Sequence, residues 1–293
     1  MNEPSREKQL GEHYALCEAA VREGDPDRWL AGLFLPADAR PHIYALYAFN
    51  LEVSRIREQV SQPILGEMRL QWWIDAFVSS EGEAAGGEAR GDIHAHPVAD
   101  ALLATIEAKK LPLSIFHDLL EARRFDLYDD PAPDVNFLEA YCGETCSALF
   151  RLAGLILGGA TGKASADAAG HAGCAYAMTG LLRALPWHVV HRQCYIPADI
   201  LARHSLTPAD LFARSRTPAL DAALADVRRL ARDHLAKAQQ AIAALPRREQ
   251  QAYRALALPE LFLRQMERPD YDPFKTLVEV AQWRRQWALW RGK

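Results

Sequence analysis

The spacing of apolar residues is the feature that most restricts the fold of this chain. Apolar residues recur at intervals of three and four, and the alternation typical of strands is hard to find. One such stripe runs from Ile43 to Ile56, with Pro41 near its start and Pro63 beyond its end. Further helices are predicted at residues 67–77, 98–109, 113–123, 137–157, 164–185, 219–245, 248–266 and 273–290. No repeat or shift in composition divides the chain, which predicts one all-α domain over residues 1–293.

Composition excludes several classes of protein. The 293 residues are 49% hydrophobic, which is enough apolar material for a large core. A net charge of −4 argues against a nucleic-acid-binding protein, which usually carries a basic balance. No apolar run reaches the roughly 18 residues of a membrane span, and MNEPSREKQLGEHYALCEAA lacks the apolar core of a secretory signal. Five cysteines do not make a disulfide framework, so we expect a cytoplasmic protein.

Two stretches are predicted to be loops. Residues 79–97, SSEGEAAGGEARGDIHAHP, are rich in Gly, Glu and Ala and lack a face that could pack. Residues 158–166, GGATGKASA, look like a phosphate-binding loop, but Leu157 and Ala164 replace the glycine and hydroxyl residue that such a loop needs. We interpret this stretch as a turn between helices.

Four segments in order resemble the squalene/phytoene synthase family: LFLPADARPHIYALYAFN, LEVSRIREQV, FLEAYCGETCSALFRLAGLILG and HAGCAYAMTGLLRALPWHVVHRQCYIPADIL. The resemblance is strongest over residues 27–205 and implies an isoprenoid-synthase-like helical bundle. Enzymes of this family join two prenyl diphosphates head to head. Two aspartate-rich segments hold their magnesium, because Mg²⁺ prefers carboxylate oxygens and neutralises the departing diphosphate.

The first aspartate-rich segment corresponds to residues 47–58, and most of its acids are replaced. Ser54 and Arg55 stand where the family has an aspartate pair, and Leu51 stands where it has an arginine. Only Glu58 keeps a carboxylate. One carboxylate is too few for the metal, so the resemblance also implies that this wall of the site has changed.

The second segment, GLLRALPWH, has lost its acids as well. Gly180, Ala184 and the pair Trp187-His188 replace an asparagine, an aspartate and a Glu-Asp pair. Arg183 is retained. Pro186 removes a helical hydrogen bond, so the helix is expected to kink or restart there. We therefore expect magnesium-dependent prenyl transfer to fail and no metal or other cofactor to be needed.

The segment TGLLRALPWHVVHRQCYIPADIL resembles the sequences of one branch of the family. This branch contains the mitochondrial complex I (NADH:ubiquinone oxidoreductase) assembly factor and its bacterial relatives. That resemblance implies a non-catalytic protein that acts in the assembly of respiratory complex I, with complex I subunits or assembly intermediates as partners. Two alternatives remain open. One is a head-to-head prenyltransferase that uses Mg²⁺ and acids from unexpected positions. The other is a protein that binds an isoprenoid or lipid.

A remnant of the family's pocket is the predicted site. Its candidate residues are Asn50, Ser54, Arg55, Glu58, Tyr141, Gly180, Arg183, Ala184, His188 and Arg192. Arg183, with Arg192 nearby, is expected either to bind an anionic head group or to pair with Glu58 or another acid. Tyr141 is expected to line a cavity or to lie in the core. Small residues at 141–157 and 171–185 are expected to leave space for a prenyl or acyl chain.

Three other places carry potential metal ligands, but no metal site is predicted at any of them. His188 and His191 have suggestive spacing but no evident third ligand, so a structural or pocket-lining role is favoured. Cys142 and Cys146 have no second pair, so they are interpreted as small buried residues. An acidic cluster is interpreted as helix caps and a solvated turn rather than a cation site; it comprises Asp126, Asp129, Asp130 and Asp134.

The C-terminal stretch PFKTLVEVAQWRRQWALWRGK is predicted to form an amphipathic helix. One face would carry Leu277, Val280, Trp283, Trp287 and Trp290, flanked by Arg284, Arg285, Arg291 and Lys293. Packing of this stripe in the core is one interpretation. The other is docking to a partner or peripheral contact with a membrane, since tryptophan and cations favour a bilayer interface.

Overall fold

The protein is helical throughout the part of the chain that the computed structural model describes, residues 3–84, 95–159 and 162–292. No strand occurs in these ranges, which confirms the all-α prediction. The helices are α1 (Glu3–Gly24), α2 (Pro26–Gly32), α3 (Arg40–Ser54), α4 (Ile56–Gln59), α5 (Pro63–Ala84), α6 (Pro97–Lys109), α7 (Leu113–Arg123), α8 (Val135–Cys142), α9 (Ala148–Ile156), α10 (Lys163–Arg183), α11 (Leu185–Val190), α12 (Ala198–Arg203), α13 (Pro208–Phe212), α14 (Pro218–Ala243), α15 (Arg247–Gln250), α16 (Pro259–Met266) and α17 (Gln282–Arg291). Short 3₁₀ helices cover Arg124–Leu127 and Gln251–Ala257, and Gly143–Ser147 is a π-helix.

The chain divides into two compact units. The first comprises Met1–Tyr128 and Leu152–Ala160, and the second comprises Asp129–Arg151 and Thr161–Lys293. That the whole chain behaves as a single domain stays a prediction.

An aromatic cluster forms the core of the first unit. The Phe49 ring on α3 meets the rings of Trp73 and Phe116 edge to face, with centroids 4.8 and 5.7 Å apart. Phe77 joins the same cluster, its ring centroid 6.0 Å from that of Phe49. Phe49, Phe77 and Phe116 are fully buried. Edge-to-face packing of such rings contributes beyond the area that they bury.

Polar contacts hold α1 against α3 and α6. Asp100 is fully buried, and its carboxylate accepts hydrogen bonds from Arg6 (2.9 Å) and pairs with Nδ1 of His13 at 2.8 Å. The Tyr14 hydroxyl lies 3.1 Å from both His42 Nδ1 and Thr105 Oγ1. A buried carboxylate is costly unless it is paired and hydrogen-bonded, so these contacts fix the position of α1.

The two longest helices of the second unit, α10 and α14, pack side by side. Thr217 caps α14 by accepting a hydrogen bond from the Leu220 amide at 3.1 Å. His234 on α14 joins the helices: its Nδ1 lies 3.0 Å from His171 Nδ1, and its Nε2 lies 3.1 Å from a Glu139 carboxylate oxygen. The polar side chains of α8, α10 and α14 therefore share one hydrogen-bonded group.

The π-helix lies against α10 at the point of closest approach. Thr145 Oγ1 donates to the Tyr141 carbonyl at 2.6 Å, and Ser147 Oγ donates to the Gly170 carbonyl at 2.9 Å. A Cβ on Gly173 would lie 2.2 Å from the backbone nitrogen of Ser147. The small residue here therefore allows close packing and leaves no room for a ligand at this point.

Three helix predictions fail for local reasons. The helix predicted at 137–157 is interrupted by the π-helix, and 248–266 is divided because Pro259 starts a new helix at α16. The helix predicted from Pro273 begins only at Gln282. Asp272 accepts a hydrogen bond from the Phe274 amide at 2.9 Å, and such side-chain bonds compete with helix formation.

The two predicted loops have different outcomes. The prediction is wrong for residues 79–84, because α5 continues to Ala84. Residues 85–94 lie outside the described ranges. In the second loop, Gly158 has a φ of 84°, a left-handed conformation that glycine adopts easily, and α10 begins at Lys163. Residues 160 and 161 also lie outside the described ranges.

Candidate functional site

The first candidate segment lies where α3 ends. Helix α3 stops at Ser54, Arg55 has non-helical torsions (φ −101°, ψ 1°), and α4 begins at Ile56. The Ser54 hydroxyl donates to the Leu51 carbonyl at 3.2 Å. The Arg55 guanidinium donates to the Gly24 carbonyl at 3.0 Å. Both positions of the expected aspartate pair thus make contacts with the backbone of this unit.

Arg55 and Leu51 act together at the last residue of α1. A Cβ on Gly24 would lie 2.4 Å from Leu51 Cδ2 and 3.2 Å from Arg55 Nη1. Because the last carbonyls of a helix lack intrahelical partners and carry partial negative charge, a guanidinium is favourable there. Two positions at which the family has an arginine and a metal-binding aspartate therefore contact the end of α1 instead.

Asn50 belongs to a second polar group of this unit. It is buried, and its Oδ1 accepts a hydrogen bond from Arg123 Nη2 at 3.5 Å. Arg123 Nη1 also pairs with the Asp126 carboxylate at 2.9 Å. Asp126 thus serves in an ion pair. Glu58, the carboxylate retained by the first segment, is exposed.

The other acids of the predicted cluster lie in the second unit. Asp134 caps α8 by accepting a hydrogen bond from the Phe137 amide at 2.8 Å, which confirms the capping interpretation for this residue. Asp129 and Asp130 are exposed.

Glu52 and His96 form a titratable pair that the sequence analysis missed. Burial raises the pKa of the Glu52 carboxyl to about 7 and lowers the pKa of His96. The carboxylate lies 3.7 Å from His96 Nε2, and the His96 ring packs 5.1 Å from the Trp72 ring. A carboxyl with such a pKa can exchange a proton near neutral pH. The two residues are 44 positions apart, and nothing in the sequence signals their pairing.

The second candidate segment is broken at the expected place. Helix α10 ends at Arg183, Ala184 has torsions of −84° and 0°, and α11 begins at Leu185 with Pro186 in its first turn. This confirms the predicted restart. Arg183 and His188 therefore lie on different helices. No atom lies within 4 Å of a Cβ built on Gly180, so this position has open space where Gly173 has none.

Arg183 and Arg192 have different aromatic partners within the second unit. The Arg183 guanidinium lies over the Phe262 ring of α16, 3.6 Å from its centre. Arg192 is exposed, has a φ of 58°, and lies 5.1 Å from the centre of the Phe212 ring. Their predicted role in binding an anion stays a prediction.

The candidate histidines and tyrosines form aromatic contacts. The His188 ring lies 4.7 Å from the Tyr195 ring, which in turn lies 5.8 Å from that of Tyr141. Tyr141 is buried, in agreement with the interpretation as a core residue. His191 stacks on Trp187 at 3.8 Å, and its Nδ1 donates to the Trp187 carbonyl at 2.9 Å. These contacts support structural roles for both histidines.

The residues present do not fit the magnesium site of the family. Where carboxylates are expected, the two segments offer a hydroxyl, a guanidinium, a methyl group and an imidazole, at Ser54, Arg55, Ala184 and His188. Mg²⁺ is held by oxygen ligands, and a guanidinium repels it. Across residues 3–84, 95–159 and 162–292, no group of three or more His, Cys, Asp or Glu residues is placed to hold a metal ion.

The C-terminal tryptophans lie on the surface. These residues are 68% (Trp283), 53% (Trp287) and 53% (Trp290) exposed, so the core-packing interpretation is wrong for them. Leu277, 72% exposed, and Val280 precede α17 and do not share its face. Arg284 is exposed and Arg285 is half-buried. The docking role of these residues stays a prediction. Among the described residues, no helix is both long enough and apolar enough to span a membrane.

Known proteins resemble this chain over nearly its whole length. The human protein named NADH dehydrogenase (ubiquinone) complex I, assembly factor 6 is 29% identical over 268 residues, which are 90% of this chain and 76% of the human protein. The crystal structure of squalene synthase HpnC from Alicyclobacillus acidocaldarius matches with a TM-score of 0.77 and 22% identity, covering 90% of this chain and 97% of the enzyme. The crystal structure of a dehydrosqualene synthase matches with a TM-score of 0.81 and 18% identity, covering 98% of this chain and 97% of the synthase.

These structural likenesses confirm the isoprenoid-synthase-like fold. The family model for squalene/phytoene synthase matches residues 21–291. Since that match includes both candidate segments, the chain belongs to the squalene/phytoene synthase family.

Proposed function

We propose that this protein is a non-catalytic member of the squalene/phytoene synthase family that acts in the assembly of respiratory complex I. The similarity to the human assembly factor over 90% of the chain supports the assembly role. Its partners would be complex I subunits or assembly intermediates, and it would work at the cytoplasmic face of the membrane without a cofactor.

One observation carries the non-catalytic part of the proposal. At a position where the family resemblance predicts an aspartate, the Arg55 guanidinium donates to the Gly24 carbonyl at the end of α1. A return to aspartate would reverse the charge and remove this bond. The loss of the acid is therefore coupled to a contact that stabilises the first unit.

An activity assay tests this part directly. The purified protein is incubated with Mg²⁺ and farnesyl or geranylgeranyl diphosphate, with an active squalene synthase as the positive control. We expect no squalene, phytoene or cyclopropyl intermediate. Magnesium-dependent turnover that is lost on Glu58→Ala would instead support the prenyltransferase alternative.

A gene deletion tests the assembly role. We expect less assembled complex I on native gels and unchanged sterol, hopanoid and carotenoid levels. Complementation with wild type and with Glu58→Ala should restore complex I equally, because the exposed Glu58 carboxylate is not used in catalysis. Loss of isoprenoid products with normal complex I would reject the assembly role.

The lipid-binding alternative has one observation in its favour. The open space beside Gly180 lies one helical turn before Arg183, so a prenyl or acyl chain with an anionic head would have room beside a cation there. Native mass spectrometry with farnesyl diphosphate tests this idea. Gly180→Leu should abolish the adduct, whereas an adduct that persists in this variant would place the ligand elsewhere.

A further inference from the structure

Helix α17 presents an aromatic stripe to solvent. Trp283, Trp287 and Trp290 follow one another at intervals of four and three residues, which places them on one face. Each of the three residues is more than half exposed. The rings of Trp287 and Trp290 lie 5.2 Å apart. Exposed tryptophans in such a row are unusual on a protein surface and indicate a binding face.

The charge of α17 is entirely basic. Its ten residues include Arg284, Arg285 and Arg291 and no acid, although the whole chain carries a net charge of −4. The Arg291 guanidinium lies 5.4 Å from the centre of the Trp287 ring, so cation and indole are adjacent on the surface. Because the exposed Arg284 and Arg291 flank the tryptophans, this face attracts an anionic partner.

Contacts on the opposite side hold the helix in place. Leu289 is fully buried, and Arg254 Nη1 donates to the Leu289 carbonyl at 3.1 Å and to the Gly292 carbonyl. A guanidinium at the end of a helix satisfies carbonyls that lack partners. The indoles thus point outward from a fixed helix.

We propose that the exposed face of α17 binds the surface of a lipid bilayer that contains anionic phospholipid. Indoles favour the depth of the lipid head groups because one edge is apolar and the N–H can be hydrated. Arginine binds phosphate oxygens through paired hydrogen bonds. Indole burial and electrostatic attraction contribute together, as in interfacial helices.

This inference rests on the proposed function for its choice of membrane, but its test does not require complex I. If vesicle binding fails while gene deletion still lowers complex I, the bilayer face is refuted and the assembly role stands. If the protein binds vesicles but gene deletion leaves complex I unaffected, the bilayer face stands and the assembly role is refuted.

The test is co-sedimentation of the full chain with vesicles. One set consists of phosphatidylcholine alone, and the other contains phosphatidylcholine and phosphatidylglycerol in a two-to-one ratio. We expect binding to the anionic vesicles that weakens as salt is added, because the cations are screened. Tryptophan emission should shift to shorter wavelength on binding, since indoles leave water.

Two variants assign the binding to α17. Trp283→Gln/Trp287→Gln should weaken it at least about tenfold, from the loss of indole burial. Arg284→Glu/Arg291→Glu should weaken it at least about tenfold, since each cation near an anionic surface contributes roughly fivefold.

Matched controls change equally exposed side chains on other helices. Met68→Gln removes an exposed apolar side chain, and Lys8→Glu/Lys237→Glu makes the same change in net charge as the arginine variant. Both should bind like wild type, and thermal melts should be unchanged for every variant. Absence of vesicle binding at low salt would overturn the proposal. So would equal weakening by the controls, or recovery of an acidic protein that binds α17 in place of vesicles.

Discussion

Replacing Arg55 by aspartate tests whether the family's metal position has become structural. The change removes the hydrogen bond from the guanidinium to the Gly24 carbonyl, 3.0 Å long. A hydrogen bond from a charged group contributes about 1.5–3 kcal/mol, and a cation at a helix C-terminus contributes about 0.3–1 kcal/mol. Arg55 is only half-buried, so we take the lower part of each range and expect Arg55→Asp to lower the free energy of unfolding by about 2 kcal/mol.

Ser54→Asp is the matched control, because it introduces the same carboxylate one residue earlier. It removes only the neutral bond from the Ser54 hydroxyl to the Leu51 carbonyl, which contributes about 0.5–1.5 kcal/mol. Urea unfolding followed by far-ultraviolet circular dichroism measures both variants, with Arg55→Lys to separate charge from the geometry of the guanidinium. If Arg55→Asp costs no more than Ser54→Asp, the guanidinium does not stabilise the end of α1 and our reasoning is refuted.

Three further predictions concern packing, pH and thiol reactivity. Gly173→Ala should destabilise the protein by about 3 kcal/mol in urea unfolding, because its Cβ would meet the Ser147 backbone. The control Gly170→Ala, whose Cβ would have no atom within 4 Å, should stabilise the protein by about 0.5–1 kcal/mol. Equal effects of the two changes would contradict the close contact at Gly173. Burial raises the pKa of Glu52 from 4.5 to about 7, so the folded state holds this proton more tightly and stability should fall as pH rises through that interval. Glu52→Gln should remove the part of the pH-dependent loss of stability that Glu52 causes. If the variant has the same stability profile against pH as wild type, the raised pKa of Glu52 is refuted. Because burial raises the pKa of the Cys17 and Cys174 thiols to about 12, iodoacetamide at neutral pH should leave both unlabelled until urea is added, as judged by mass spectrometry; labelling of the native protein would show that they are accessible.

Periodicity was sufficient to predict most of the long helices, because their apolar stripes repeat at the helical spacing, but α1 was missed. The prediction for α7, Leu113–Arg123, matches its bounds. Prediction from periodicity failed where the backbone departs from the α-helix without a change in side-chain pattern. The π-helix at Gly143–Ser147 contains no proline that would mark a break, and the segment before α17 looks amphipathic but is not helical after the turn at Asp272.

The candidate site was predictable only in part. The restart at Pro186 follows from proline's missing N–H, and the sequence contains that information locally. The partners of Arg55 and Arg183 cannot be predicted in this way. Gly24 and Phe262 are distant from them in sequence, and only the packing of the helices brings them near. The pairing of Glu52 with His96 depends on burial, which composition and spacing do not encode. The exposure of the C-terminal tryptophans also depends on packing, so the sequence left both the core and the surface interpretation open.

The π-helix has a consequence for chain length. A turn of this kind accommodates one residue more than the α-helical turn that it replaces. Deleting one residue between Cys142 and Ala148 would let the segment close as an ordinary α-helix, with the faces of α8 and α9 kept in register on either side. The Thr145 and Ser147 hydroxyls would then lose the carbonyls that they now contact. In an alignment of relatives, a one-residue gap at this point would therefore mark a change in helical pitch inside the protein, not the trimming of a surface loop.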